Sequence, residues 1–220
     1  MTAIYPSLLA ANPNAIDSLV KQLEPLCPGF HIDIMDHKFV PYTGISIEKT
    51  NFLAKITYRQ LWVHLMVESP ELYLSQLQLP PDSIVTFHIE SINHPEQTIK
   101  TILEKKLLPG LAINPKTNVD EVFQYLDQLH QVLIMSVEPG TSGQSFLEKT
   151  LSKIDPLVGY RNTSGIKFKI AMDGGINTKN VTTLIQKGVD QFAIGSDIFS
   201  AKVNPVEAYK IISNMHNDAG

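Results

Sequence analysis

The sequence predicts a single (β/α)8 barrel, and three observations carry that prediction. Short runs rich in β-branched and aromatic residues alternate with longer amphipathic stretches along the 220-residue chain, the pattern of βα units around a parallel sheet. Eight such units can be counted. Several strand segments, among them VLIM and FKIAM, are almost continuously apolar, which suits strands covered on both faces. Polar residues also recur at the C-terminal ends of several different strands. A closed barrel brings those ends to one mouth, whereas an open sheet would set them in a row. A doubly wound open sheet is the competitor, but the first strand and turn carry no GxGxxG fingerprint.

The predicted strands span residues 4–9, 29–34, 61–67, 83–89, 110–113, 131–137, 167–172 and 191–194. Each leads into a predicted helix, at 14–24, 47–57, 70–77, 95–106, 119–129, 146–158, 178–187 and 205–215. Ser69 before Pro70, Asn118 before Val119 and Asn177 before Thr178 set capping side chains where free backbone N–H groups need acceptors. With no Pro/Ser/Gly-rich linker or charge block, residues 1–220 read as one domain.

Composition narrows the class of function. With 43% hydrophobic and 18% charged residues, the chain can bury a sizeable core. Its net charge is −4 and its 18 basic residues are scattered, so the clustered positive surface that nucleic acid or anionic lipid requires is missing. A small-molecule partner is expected. The lone Cys27 excludes an internal disulfide and a thiolate zinc cage, and fits a reducing compartment. The start, MTAIYPSLLA, reads as a first strand and lacks a basic leader, and no apolar stretch reaches membrane-spanning length. A soluble, cytoplasmic protein is the expectation.

The chemistry gathers first on the second strand. In Phe30-His31-Ile32-Asp33-Ile34-Met35, alternation sets His31, Asp33 and Met35 on one face and the two isoleucines on the other. If the isoleucines face the helices, an imidazole and a carboxylate point into the barrel, where leaving them unpaired costs several kcal/mol. A metal would serve as their partner. His64 and Met66 share a face of the third strand, and Asp173 ends the seventh, just before Gly174 and Gly175. Taken singly, a barrel histidine is usually a hydrogen-bonded core residue and a strand-end aspartate a helix cap. His31, Asp33, His64 and Asp173 together, at the C-terminal ends of three strands, point to one shared site. His88 and Glu90 share a face of the fourth strand; support behind the site and an ordinary structural hydrogen bond both fit them.

A second signal is anion binding. Gly140-Thr141-Ser142-Gly143 follows strand six, Gly174-Gly175 strand seven and Gly195-Ser196 strand eight, and barrels commonly hold phosphate between their last loops and a short extra helix. Ser196-Asp197-Ile198-Phe199 is the candidate helix. Any one of these glycines could simply serve a tight turn; three consecutive loops make that reading weaker.

The chain resembles the ribulose-phosphate 3-epimerase family. The segments PSLLAAN, HIDIMDHKFVP, HLMVESP, HIE, GLAINPKT, MSVEPGTSGQSF, MDGGI and IGSDIF occur in that family's order and approximate spacing over essentially the whole chain. The resemblance implies that His31, Asp33, His64 and Asp173 bind one divalent metal, with zinc the first choice and iron, manganese or cobalt the others. It implies that Asp33 and Asp173 also exchange the proton as ribulose 5-phosphate and xylulose 5-phosphate interconvert, in the pentose phosphate pathway. Ser7, His64, Met35, Met66 and Met135 match substrate-side positions. Gly140, Thr141, Ser142, Gly143, Gly174, Gly175, Gly195 and Ser196 match the phosphate-side loops. A homo-oligomer, dimer or hexamer, is implied as well.

The chain departs from the family at its rim. His37 stands where the family has glycine and Tyr42 where it has asparagine, and Thr141-Ser142 replaces a lid aromatic and a glycine. All four site residues are kept, so these changes bear on substrate identity and closure more than on reaction type. An allulose 6-phosphate epimerase and a non-catalytic sugar-phosphate-binding protein of the same fold are the rival readings.

Overall fold

All eight strands of the computed structural model, which describes residues 2–217, lie in one parallel sheet. They are β1 (Ala3–Pro6), β2 (Gly29–Met35), β3 (Gln60–Met66), β4 (Ile84–His88), β5 (Leu108–Ile113), β6 (Gln131–Met135), β7 (Lys169–Asp173) and β8 (Gln191–Ile194). Each strand pairs with its sequence neighbour from β2 to β8, and β8 pairs back to β1. The remaining seam is closed by a parallel bridge between Ser7 and His31. The result is the (β/α)8 barrel expected. Met1 and residues 218–220, which fall within the one-domain expectation, lie outside the described residues.

Helices cover the outside: α1 (Ile16–Leu23), α2 (Ile47–Ile56), α3 (Pro70–Gln76), α4 (Pro95–Glu104), α5 (Ile154–Ser164), α6 (Val181–Gln186), the short α7 (Ser196–Phe199) and α8 (Pro205–Asn217). The alternation within strands divides the core in two. Outward residues such as Phe30, Ile32, Val63, Leu65 and Phe87 pack against the helices in one large cluster. Inward residues, among them Tyr5, Trp62, Ile84, Leu133 and Ala193, fill the barrel in another.

The structure corrects several local expectations. The first strand stops at Pro6, and residues 8–10 form a 3-10 turn. The segment expected to be helical at 119–129 forms a 3-10 helix over Val119–Tyr125, and the one at 146–158 begins as 3-10 over Glu148–Lys153 before α5 takes over. Ser69 makes no capping hydrogen bond, while Asn118 accepts from Asp120 N–H as expected. Asn177 accepts from Lys179 N–H ahead of α6, which starts only at Val181. The Ser46 hydroxyl, not singled out by the sequence pattern, caps α2 by accepting from Lys49 N–H.

Candidate active site

Register alone brings the inward side chains of β2 and β3 to one level, because His31 pairs with Trp62 and Asp33 with His64. On the far side of the barrel Met135 pairs with Asp173, and Asp173 with Ala193. His31, Asp33 and His64 are buried, and Asp173 sits at the rim with 16% of its side chain exposed. Their ligand atoms all lie within 4.8 Å of one another.

Hydrogen bonds orient the group from one side. The Ser7 hydroxyl donates to Asp33 Oδ2 at 3.0 Å and lies 3.3 Å from His31 Nδ1. His64 Nδ1 stands 3.2 Å from Asp33 Oδ1 and 3.7 Å from Asp173 Oδ2. Three buried atoms, His31 Nε2, Asp33 Oδ1 and His64 Nδ1, have no hydrogen-bond partner among the described residues. Leaving such groups unsatisfied costs about 1–3 kcal/mol each. Their convergence, with Asp173 alongside, is what a bound cation would repay, and this mixed nitrogen and oxygen set could hold a divalent metal ion.

Charges within the group act on one another at close range. Burial alone would raise the Asp33 carboxyl, but the imidazoles of His31 and His64 close beside it hold it well below the ordinary carboxylate range. Burial likewise pulls His64 down, yet the carboxylates of Asp173 and Asp33 facing its Nδ1 push it up to about 9. Behind His64, His88 is pushed down to about 4, first by burial and then by the nearby His64 charge, against the opposing pull of Glu90. Glu90 belongs to a 3-10 turn, Ile89–Ser91, after β4 rather than to the strand itself.

Beside this group opens a narrow cleft at the mouth of the barrel. Its walls include Ser7, Asp33, Met66, Met135 and Asp173. The loops after the last three strands complete it: Gly140 to Gly143 after β6, Gly174 and Gly175 after β7, and Gly195 with Ser196 after β8, where α7 starts. Met35 lies one step back, packed with Met66 and Val40. Gly175 shows why glycine is needed there. Its φ is +65°, and a Cβ would sit 2.5 Å from the Phe146 amide nitrogen. Val137, Gln144 and Ile176, which fall in the loop segments quoted for phosphate, also line the cleft, as do Leu9 and Ala193, which were not singled out from sequence. Ala193 was within reach of that reasoning, being on the inward face of β8 two residues before Gly195. The side-chain amide of Gln144 braces the β6 loop from within, donating to the carbonyls of Glu138 and Thr141.

The altered rim also takes a definite form. His37 adopts a positive φ of 61°, the conformation a glycine would enter freely, and its Nε2 lies 2.6 Å from the Thr43 hydroxyl. The Tyr42 ring packs against Gly140, which has a φ of +122° and no room for a Cβ on that side. An aromatic from the β2 loop thus covers the β6 loop, which has no aromatic of its own between Gly140 and Gly143.

By fold and site this is a (β/α)8-barrel enzyme. The family model "Ribulose-phosphate 3 epimerase family" matches residues 3–199. A ribulose-phosphate 3-epimerase of Methanocaldococcus jannaschii is 34% identical over 90% of this chain and 85% of its own length. One of Escherichia coli K12 is 31% identical over 98% and 95%. Orotidine 5'-monophosphate decarboxylase of Sulfolobus solfataricus superposes with a TM-score of 0.68 at 12% identity, over 100% of this chain and 99% of that one, a likeness of fold. The chain belongs to the ribulose-phosphate 3-epimerase family, and is therefore an isomerase of the epimerase kind. No helix among the described residues is long and apolar enough to cross a membrane.

Proposed function

We propose that this chain inverts carbon 3 of ribulose 5-phosphate to give xylulose 5-phosphate, by proton transfer through two aspartates. The observation that carries this reading is the meeting of Asp33, from β2, and Asp173, from β7, at one cleft, with the His64 imidazole facing both carboxylates and His31 beside Asp33. The same name is borne by relatives of similar length from an archaeon and a bacterium.

The chemistry accounts for the parts. A proton next to a ketone is a weak acid, and its removal leaves a planar enediolate whose negative charge must be stabilised as it forms. Inversion needs one acid/base group on each face, one to remove the proton and the other to supply one from the opposite side. Asp33 and Asp173, reaching in from separate strands, take these roles, which exchange when the reaction runs in reverse. Asp33 is kept ionised by its histidine neighbours, the state from which a base must start. A divalent metal, zinc in our reading, held by His31, Asp33, His64 and Asp173 would supply positive charge beside the oxygens that become anionic. Ser7, Met66 and Met135 shape the sugar side of the cleft. The glycine loops and Ser196 receive the phosphate through backbone N–H groups.

The test is incorporation of deuterium from heavy water at carbon 3 of ribulose 5-phosphate and of allulose 6-phosphate, with zinc, manganese or iron supplied. Exchange with inversion on ribulose 5-phosphate is expected. Preference for allulose 6-phosphate would move the substrate to the six-carbon sugar, and exchange on neither would sink the epimerase reading for this chain.

Metal uptake should also depend on pH. Below about 9 the His64 imidazole carries a second proton in the metal-free protein, so its lone pair is occupied. Binding then displaces that proton, and apparent affinity should rise up to about tenfold per pH unit for one proton released, levelling off above about pH 9. Titrations with zinc between pH 6 and 10, on the order of one unit apart, measure this. A flat profile would contradict it.

A further inference from the structure

Behind the site runs a chain of hydrogen bonds, buried at His64 and His88 and reaching solvent at Glu90, whose direction can be deduced from its far end. Glu90 Oε1 accepts from the Asn114 amide N–H at 2.7 Å and from the Thr117 hydroxyl. A backbone N–H can only donate, so an oxygen must occupy that position. Lys153, itself buried, holds this turn by donating to the carbonyls of Asn114 and Thr117 at 2.6 and 2.7 Å. The other carboxylate oxygen, Oε2, lies 3.2 Å from His88 Nδ1. Being ionised, it can only accept, so His88 Nδ1 carries a hydrogen. A neutral imidazole has one N–H, which leaves a lone pair on His88 Nε2, 2.9 Å from His64 Nε2. His64 Nε2 must therefore be the donor. Once His64 is neutral, its remaining lone pair is on Nδ1, the orphaned atom that faces Asp33 and Asp173.

We propose that Glu90, through His88, is a positioning residue that sets the tautomer of His64, so that the Nδ1 lone pair is turned to the metal position. The inference rests on the proposed metal site and adds to it a determinant about three side chains deep. Such outer partners are worth about 10- to 100-fold in metal affinity in other proteins.

Glu90→Gln is the decisive variant because it keeps the shape and reverses the chain. Its carbonyl must stay toward Asn114 N–H, so its NH2 faces His88 Nδ1 and donates. His88 then donates from Nε2, and His64 is left protonated at Nδ1. Zinc affinity, measured by competition with a chromophoric chelator, is expected to fall about 10- to 100-fold, with the melting temperature of the metal-free protein little changed. Thr117→Val, which removes a hydrogen bond without altering direction, should bind zinc within about threefold of wild type. Nitrogen-15 spectra of the imidazoles in the zinc-loaded wild-type protein should show His64 as the Nε2–H tautomer and His88 as the Nδ1–H tautomer. This reading decides the matter even if Glu90→Gln does not fold. The opposite tautomers, or equal zinc affinity in Glu90→Gln and wild type, would overturn the role of Glu90 alone. Failure of wild type to bind zinc, manganese or iron would overturn the metal site and this inference with it.

Discussion

Asp173→Asn is expected to lower the rate of inversion by about 10²- to 10⁴-fold, the usual contribution of one positioned acid/base group. The substitution is isosteric and falls at the rim, where Asp173 is partly exposed, so the barrel should remain folded. The asymmetry of the loss is the informative part. With Asp33 still able to remove and return a proton on its own face, one of the two epimers should continue to exchange its carbon-bound hydrogen with solvent without inverting. The other should not exchange. Rates measured at saturating metal for both epimers separate this from a simple loss of metal affinity. Retained inversion would remove Asp173 from the proton-transfer pair.

The second large effect is expected from Trp62→Ala, which should lower the free energy of unfolding by about 3–5 kcal/mol in urea titrations. Trp62 is fully buried inside the barrel, directly below the site. Its ring meets Tyr5 edge-on at 5.3 Å and His31 at 4.6 Å, and its indole N–H donates to Thr86 Oγ1 at 2.9 Å. Thr86 also accepts from the Gln131 side-chain amide at 2.8 Å. Truncation would open a cavity under His31 and remove one donor from that small polar knot. A loss under about 1 kcal/mol would mean that the barrel interior collapses around the gap far more readily than its packing implies.

Much of the site was legible because its signals are local. The period of two in a strand sends His31 and Asp33 one way and Ile32 and Ile34 the other whatever the rest of the chain does. The same rule put His64 with Met66. Eight strand-to-helix repeats imply a parallel sheet, and parallel pairing sets all C-terminal strand ends on one side. Helix type and starts were less legible. The segments after β5 and β6 have helical hydrophobic spacing, yet residues 119–125 and 148–153 settle into the tighter 3-10 form. Spacing by three and by four overlap over so few residues, and packing chooses between them.

What the sequence by itself determined is the repeat, the inward identity of the site residues and the glycine-rich character of the last three loops. Each follows from residue type and from periods of two to four positions. Tertiary structure alone decided how those groups address one another. Ser7 reaches Asp33 only because the barrel closes at the Ser7–His31 bridge. Tyr42 covers Gly140 across 98 residues of sequence, and His64 meets His88 because β3 and β4 pair in one register and no other. The proton order from Asn114 to His64 depends on that register too. Hydrogen bonds act within about 3 Å, and distances on that scale between remote segments are set by the closed sheet and its packing, which local sequence does not encode.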